Sequence, residues 1–234
     1  MFDDLAPGAP VAAAALGAGL SLAGTALYLR DIRRGTTTPH RGSWLVWGVI
    51  AVIAAAAHEA DGGHWGLVVL VVQALTTLAV LAVAVRCGVG GITAGNALML
   101  AVAGAGVLGW ITLADPTAAA ACAAIADGAG LAAIVPKIWA DPHSETRATY
   151  ALAGASGLLT VVAVASVDPA LLLFPVYFCL ANTATAQLIA LRRRRVPSPA
   201  GRCADDPAPP APPLPHQWAP PPPVQALTRA EVGS

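Results

Sequence analysis

Polar positions are scarce along this chain and fall in clusters. Between the clusters run seven stretches, approximately 10–29, 44–60, 65–85, 92–113, 117–136, 149–167 and 169–191. Within them Ala, Val, Leu and Gly follow one another with neither helical nor alternating spacing. A helix that is apolar all round must be buried in protein or in lipid. Seven such runs, with little amphipathic material to cover them, predict an all-α, polytopic membrane protein with seven transmembrane helices. A run of about 20 residues at 1.5 Å per residue matches a hydrocarbon core ~30 Å thick. The first run follows MFDDLAPGA, with two acids and no base ahead of it. A secretory leader opens on a positive region, so this run is read as the first membrane helix.

Composition strengthens that picture. Hydrophobic residues make up 56% of the 234 positions and charged residues 11%, against about 25% charged in an ordinary soluble domain. The formal net charge of zero conceals a sorting by location. Arg30, Arg33, Arg34 and Arg41 lie between the first two runs, Arg86 after the third, Lys137 and Arg147 between the fifth and sixth, and the rest after the seventh. In a seven-span chain all 13 Lys and Arg therefore share one side. The other side carries only acids: Asp3, Asp4, Glu59, Asp61, Asp115 and Asp168. Positive residues stay in the cytoplasm, which predicts a cell-membrane protein with an external N-terminus and a cytoplasmic C-terminus. Trp44, Trp47 and Trp139 lie near the predicted cytoplasmic ends, and Trp65 and Trp110 near the outer ends, as interfacial indoles do. Trp44 and Trp47 share a helix face, so plugging a pathway is their alternative role.

Residues 196–234 differ in kind, with twelve prolines among 39 positions. Such a segment favours extended polyproline II and buries too little apolar surface to fold. It is expected to be a disordered cytoplasmic tail.

The chain also repeats itself. A shift of 106 residues lays the first three runs over the last three without a gap. It matches Gly24 with Gly130, Ile32 with Ile138, Arg41 with Arg147, Gly48 with Gly154, Thr77 with Thr183 and Arg86 with Arg192. An even number of crossings separates the copies, so both face the same way. The predicted organisation is 3+1+3: an external segment 1–9, a first three-helix bundle 10–86, a linker helix in 87–113, a second bundle 114–192 and the tail 193–234. Parallel repeats about an axis along the membrane normal are one transporter design.

At the end of the fifth run the sequence reads Val135-Pro136-Lys137-Ile138-Trp139, then Asp141-Pro142-His143-Ser144-Glu145-Thr146. With the repeat, this resembles the PQ-loop superfamily that includes the SWEET (MtN3/saliva-type) sugar transporters. Pro136 fits the Pro-Gln motif, and Lys137 stands where the family has Gln. The first copy, Leu29-Arg30-Asp31, has no proline. Ser43, Trp44 and Trp47 give an SWxxW opening similar to that of a bacterial branch of PQ-loop-like proteins. The resemblance spans about residues 10–192. It implies alternating access between two three-helix bundles, with Pro136 and Lys137 at a motif or hinge position.

Asp127 lies close to mid-membrane, where an acid costs ~2.5–3.5 kcal/mol on insertion scales and must face the protein interior. Asn182 stands 10 residues before Arg192 and Asp127 10 before Lys137, so both are ~15 Å from the basic end. The 106-residue shift relates them to Thr76 and Ser21, and Gln73 lies one turn from Thr76. Asp127, Asn182, Ser21, Thr76 and Gln73 form the candidate substrate layer; the resemblance gives Asn182 the place of a pocket asparagine. Interhelical hydrogen bonding alone is the competing role. Glycines 128, 130, 154 and 157 permit close helix approach. The four scattered cysteines and the segment His58–His64 show no metal-ligand spacing. Arg192 to Arg195 read as an anchor to anionic lipid. No nucleophile, phosphate-cradling or dinucleotide motif is present, so neither an enzyme nor a cofactor is expected, nor a nucleic-acid partner. The expected partners are the lipid bilayer and a small polar, sugar-like solute, with protons as a candidate coupling ion and a homo-oligomer left open. The alternative function is a non-transporting scaffold or sensor that recruits a partner through the Pro-rich tail.

Overall fold

Apolar runs without strand periodicity fold here as helices. The computed structural model describes residues 8–60, 62, 64–91, 93–113 and 116–197. Seven α-helices fill them: α1 (Ala9–Arg33), α2 (Arg41–Ala60), α3 (His64–Cys87), α4 (Ala94–Leu113), α5 (Pro116–Ala140), α6 (Arg147–Val164) and α7 (Pro169–Arg195), with a short 3-10 turn at Pro142–Ser144. Six of them are long and apolar enough to cross a membrane, and α4 is apolar over Ala94–Gly109. Leu16, Leu75, Leu158 and Leu180 are each more than half exposed on their outer faces, an arrangement suited to lipid rather than water. The Pro-rich tail beyond residue 197 lies outside the described residues, as do Asp61, Asp115 and the side chains of His64 and Trp110.

Helix starts follow local chemistry. Asp168 caps α7 by accepting from the Ala170 N–H at 2.9 Å, and Pro169 occupies the first turn, where its missing N–H costs nothing. Ends depart from the apolar runs in a consistent way. At the basic end α1 continues to Arg33, α3 to Cys87, α5 to Ala140 and α7 to Arg195. Apolarity marks the stretch in hydrocarbon, whereas backbone hydrogen bonding carries on while long basic side chains reach toward water. At the other end α6 stops early, at Val164, because Ala165 turns into the left-handed region at φ 49°. Pro136 does not end α5, although the fifth apolar run ends there. The helix runs one further turn past it, with the ring on an exposed face, as membrane helices tolerate.

The helices close into a ring. Helix α3 lies between α1 and α2, and α7 between α5 and α6; α1 then packs on α6 and α2 on α5. Cross-ring contacts join α3 to α6 and α2 to α7, and α4 packs on α5 and α2. Among the hydrogen bonds that join the halves, two form a matched pair: Ser43 Oγ donates to the Gly130 carbonyl at 3.3 Å, and Thr149 Oγ1 to the Gly24 carbonyl at 2.9 Å. Donors and acceptors alike stand 106 positions apart. Small residues permit the close contacts. A Cβ on Gly157 would lie 2.8 Å from the Cys179 backbone nitrogen, and one on Gly154 would lie 3.1 Å from that of Thr183.

Candidate functional site

Polar side chains that enter the ring cannot reach water along an apolar helix, so they meet one another or a cavity. The cavity lies about halfway along the helices. Its volume is about 80 Å³, room for several water molecules when one needs roughly 10–15 Å³. Ser21 of α1, Gln73 and Thr76 of α3, Asp127 of α5 and Asn182 of α7 all line it. The structure thus brings together all five residues of the candidate layer, from four helices. Trp44 and Trp47 also line it, with Thr149 and Tyr150 of α6 and Phe174 and Phe178 of α7.

Each polar group has a defined setting. Asp127 is 6% exposed. Its Oδ2 accepts from the Tyr177 hydroxyl at 2.8 Å, and its backbone carbonyl accepts from Trp47 Nε1 at 3.3 Å. Ser156 Oγ donates to the Gly17 carbonyl at 2.9 Å, so across the 2.9 Å contact between the two hydroxyls Ser21 is the donor. Thr76 Oγ1 and Thr77 Oγ1 donate to the Gln73 carbonyl at 2.9 and 2.8 Å. Asn182 Nδ2 donates to the Phe178 carbonyl at 3.0 Å. Ser21 and Asn182 therefore do bond within the protein, but each keeps an oxygen free to accept.

Between the cavity and the basic end of the molecule lies a second polar cluster. Its centre is Glu145, 1% exposed, just after the 3-10 turn. Glu145 Oε2 accepts from Tyr28 at 3.2 Å and Tyr150 at 3.1 Å, and Oε1 accepts from Lys137 Nζ at 2.7 Å. Lys137 also donates to the Thr38 and Ser144 carbonyls, and Trp44 Nε1 donates to Tyr28 at 3.3 Å. Thr37 and Thr146 join through their hydroxyls at 2.8 Å, and Thr146 donates to Asp31 Oδ2 at 2.9 Å. Arg193 donates to the Pro142 and Glu145 carbonyls, and Arg192 donates to the Trp139 carbonyl and lies 4.1 Å from the centre of its indole. The loops after α1 and α5 are thereby tied together, with Lys137 as one of the cross-links. Trp44 and Trp47 are buried inside the ring, and Trp139 is exposed.

Sequence reasoning missed Glu145 and Tyr177. The one available signal for Glu145 was an acid within the base-rich loops; Tyr177 reads as an ordinary aromatic in an apolar run. Among the described residues no His, Cys, Asp or Glu group is placed to hold a metal ion, and Cys87, Cys122 and Cys179 are free thiols. No family model matches the chain, and comparison with curated proteins and with solved structures gives no match.

Proposed function

We propose that the chain is a seven-span membrane transporter for a small polar solute, working by alternating access between two parallel three-helix bundles, α1–α3 and α5–α7, with α4 as linker. The observation that carries this reading is the cavity: mid-helix polar side chains from both bundles converge on it, with Asp127 costly to place there for packing alone. The neighbour pattern supports the 3+1+3 arrangement, since exchanging α1, α2, α3 with α5, α6, α7 maps every contact of the ring onto another. The paired bonds Ser43–Gly130 and Thr149–Gly24 obey the same exchange. We read such an arrangement as SWEET-like, and the gathering of bases at one end supports an external N-terminus and a cytoplasmic C-terminus.

Asp127, Asn182, Ser21, Thr76 and Gln73 form the solute site, with the Glu145 cluster closing its cytoplasmic end. In proteoliposomes holding the full chain, Asp127→Ala and Asn182→Ala are each expected to cut solute uptake at least about tenfold, the effect of losing ~1.4 kcal/mol of binding. Uptake unchanged in both folded variants counts against this site.

A further inference from the structure

The hydrogen-bonding inventory of the cavity points to the chemistry of its occupant, given that the cavity is the solute site. A hydroxyl has one proton to donate and two lone pairs. Here the protons are spoken for. Thr76 and Thr77 give theirs to the Gln73 carbonyl, Thr149 to the Gly24 carbonyl and Ser21 to Ser156. The aromatic donors are engaged as well: Trp44 on Tyr28, Trp47 on the Asp127 carbonyl and Tyr150 on Glu145. What remains toward the cavity is chiefly oxygen. Asp127 Oδ1 and the side-chain oxygens of Asn182 and Gln73 accept from no described residue, and the committed hydroxyls keep their lone pairs.

The donors left over are few: the Gln73 amide, the second Asn182 N–H and the Thr25 hydroxyl. No Lys, Arg or His lines the cavity among the described residues. Lys137 is held by Glu145. The aromatic faces of Trp44, Trp47, Tyr150, Phe174 and Phe178 complete the wall, and ring faces attract cations.

We infer that the cavity is built for a small organic cation bearing N–H donors, an alkylammonium or guanidinium. A sugar needs donors as well as acceptors, because each of its hydroxyls does both, and this wall supplies few. An anion would meet Asp127 with no base to offset it. The cation supplies N–H donors to Asp127, Asn182 and Gln73 and places its charge against the aromatic faces. Asp127 then holds either the cation or a proton, so entry of one releases the other to bulk water.

Guanidinium and urea make the decisive pair, being close in shape and different in charge. Full-length protein in proteoliposomes is given labelled guanidinium, ethylammonium, urea, glucose or acetate under an inside-negative potential. The expected result is saturable guanidinium and ethylammonium uptake, with guanidinium at least about tenfold above urea relative to empty vesicles, the factor that ~1.4 kcal/mol of selectivity gives. Excess glucose does not compete, and Asp127→Asn abolishes the uptake. The wild-type comparison stands even if that variant fails to fold. Urea, glucose or acetate carried as well as guanidinium, or folded Asp127→Asn carrying it at the wild-type rate, overturns the cation assignment. If that flux is lost in Asn182→Ala, the transport reading survives. Folded protein that carries none of the five overturns both.

Discussion

At the scale of single residues the Lys137–Glu145 pair is the most demanding feature of the molecule. Glu145 is 1% exposed, and its two carboxyl oxygens are shared by two tyrosine hydroxyls and the Lys137 amine. Removing one member of a buried pair strands the other charge, at a cost of about 3–5 kcal/mol, whereas replacing both by apolar residues is close to neutral. Lys137→Met or Glu145→Met alone is therefore expected to lower the unfolding temperature in detergent sharply, and the double replacement to recover most of the loss. Equal and additive losses would show that the two side chains stabilise independently. His40, in the loop before α2, is held below the usual imidazole range by burial and by Lys137, with Glu145 opposing. The folded state thus takes up its proton less readily than the unfolded chain does. Stability is expected to be full above the ordinary value of 6.5 and to decline as pH falls below it. Denaturation followed from pH 7.5 to 5.5 should show that slope, and His40→Asn should flatten it. The residue scale is also where the sequence was only partly legible. Depth counting brought Asp127, Asn182, Ser21 and Thr76 into one layer because helix rise is uniform. Glu145 escaped because nothing in a short polar loop reveals that it folds inward under the distant Tyr28 and the nearby Tyr150.

At the scale of elements, helix existence was legible and helix ends were not, since hydrophobicity reports the surrounding solvent and the backbone is free to stay helical beyond it. Pro136 illustrates the difference. A proline before a charged residue reads as a terminus, yet α5 absorbs it and ends at Ala140. Glycine pairing was readable from spacing, but its partners emerged only from packing. Along the α6–α7 seam, a side chain on Gly157 meets Cys179 backbone at 2.8 and 3.0 Å. Backbone cannot step aside as a flexible side chain can. Gly157→Val is expected to cost about 1–3 kcal/mol through overpacking and to separate α7 from α6. Gly19 on α1 has nothing within 4 Å of its added Cβ, so Gly19→Ala should be neutral, or stabilising by up to about 1 kcal/mol. Melting of both variants in one detergent checks the contrast, and a milder effect at Gly157 than at Gly19 would contradict the seam.

At the scale of the whole molecule, the proposed rocking of two bundles makes a prediction about the basic end. There the loops after α1 and α5 are tied by Thr37–Thr146, by Lys137 on the Thr38 carbonyl and by Thr146 on Asp31. If solute leaves through this end, the two loops must part in every cycle, and a covalent tie across them must stop the cycle without touching the cavity. Thr37 and Thr146 suit such a tie, because their hydroxyl oxygens are already 2.8 Å apart and a disulfide needs Cβ atoms only about 3.5–4.5 Å apart. Thr37→Cys with Thr146→Cys is made with the four native cysteines, Cys87, Cys122, Cys179 and Cys203, changed to alanine. Oxidation is expected to abolish net uptake into proteoliposomes, reduction to restore it, and solute binding in detergent to persist in both states. Positions 37 and 146 are buried here, so an impermeant maleimide should reach the reduced cysteines only as the loops part, and then only from the C-terminal side of the membrane. Uptake that continues at full rate through a fully oxidised tie would mean that the solute passes without parting these loops. The cavity would then need a route through the ring other than the one the Glu145 cluster closes.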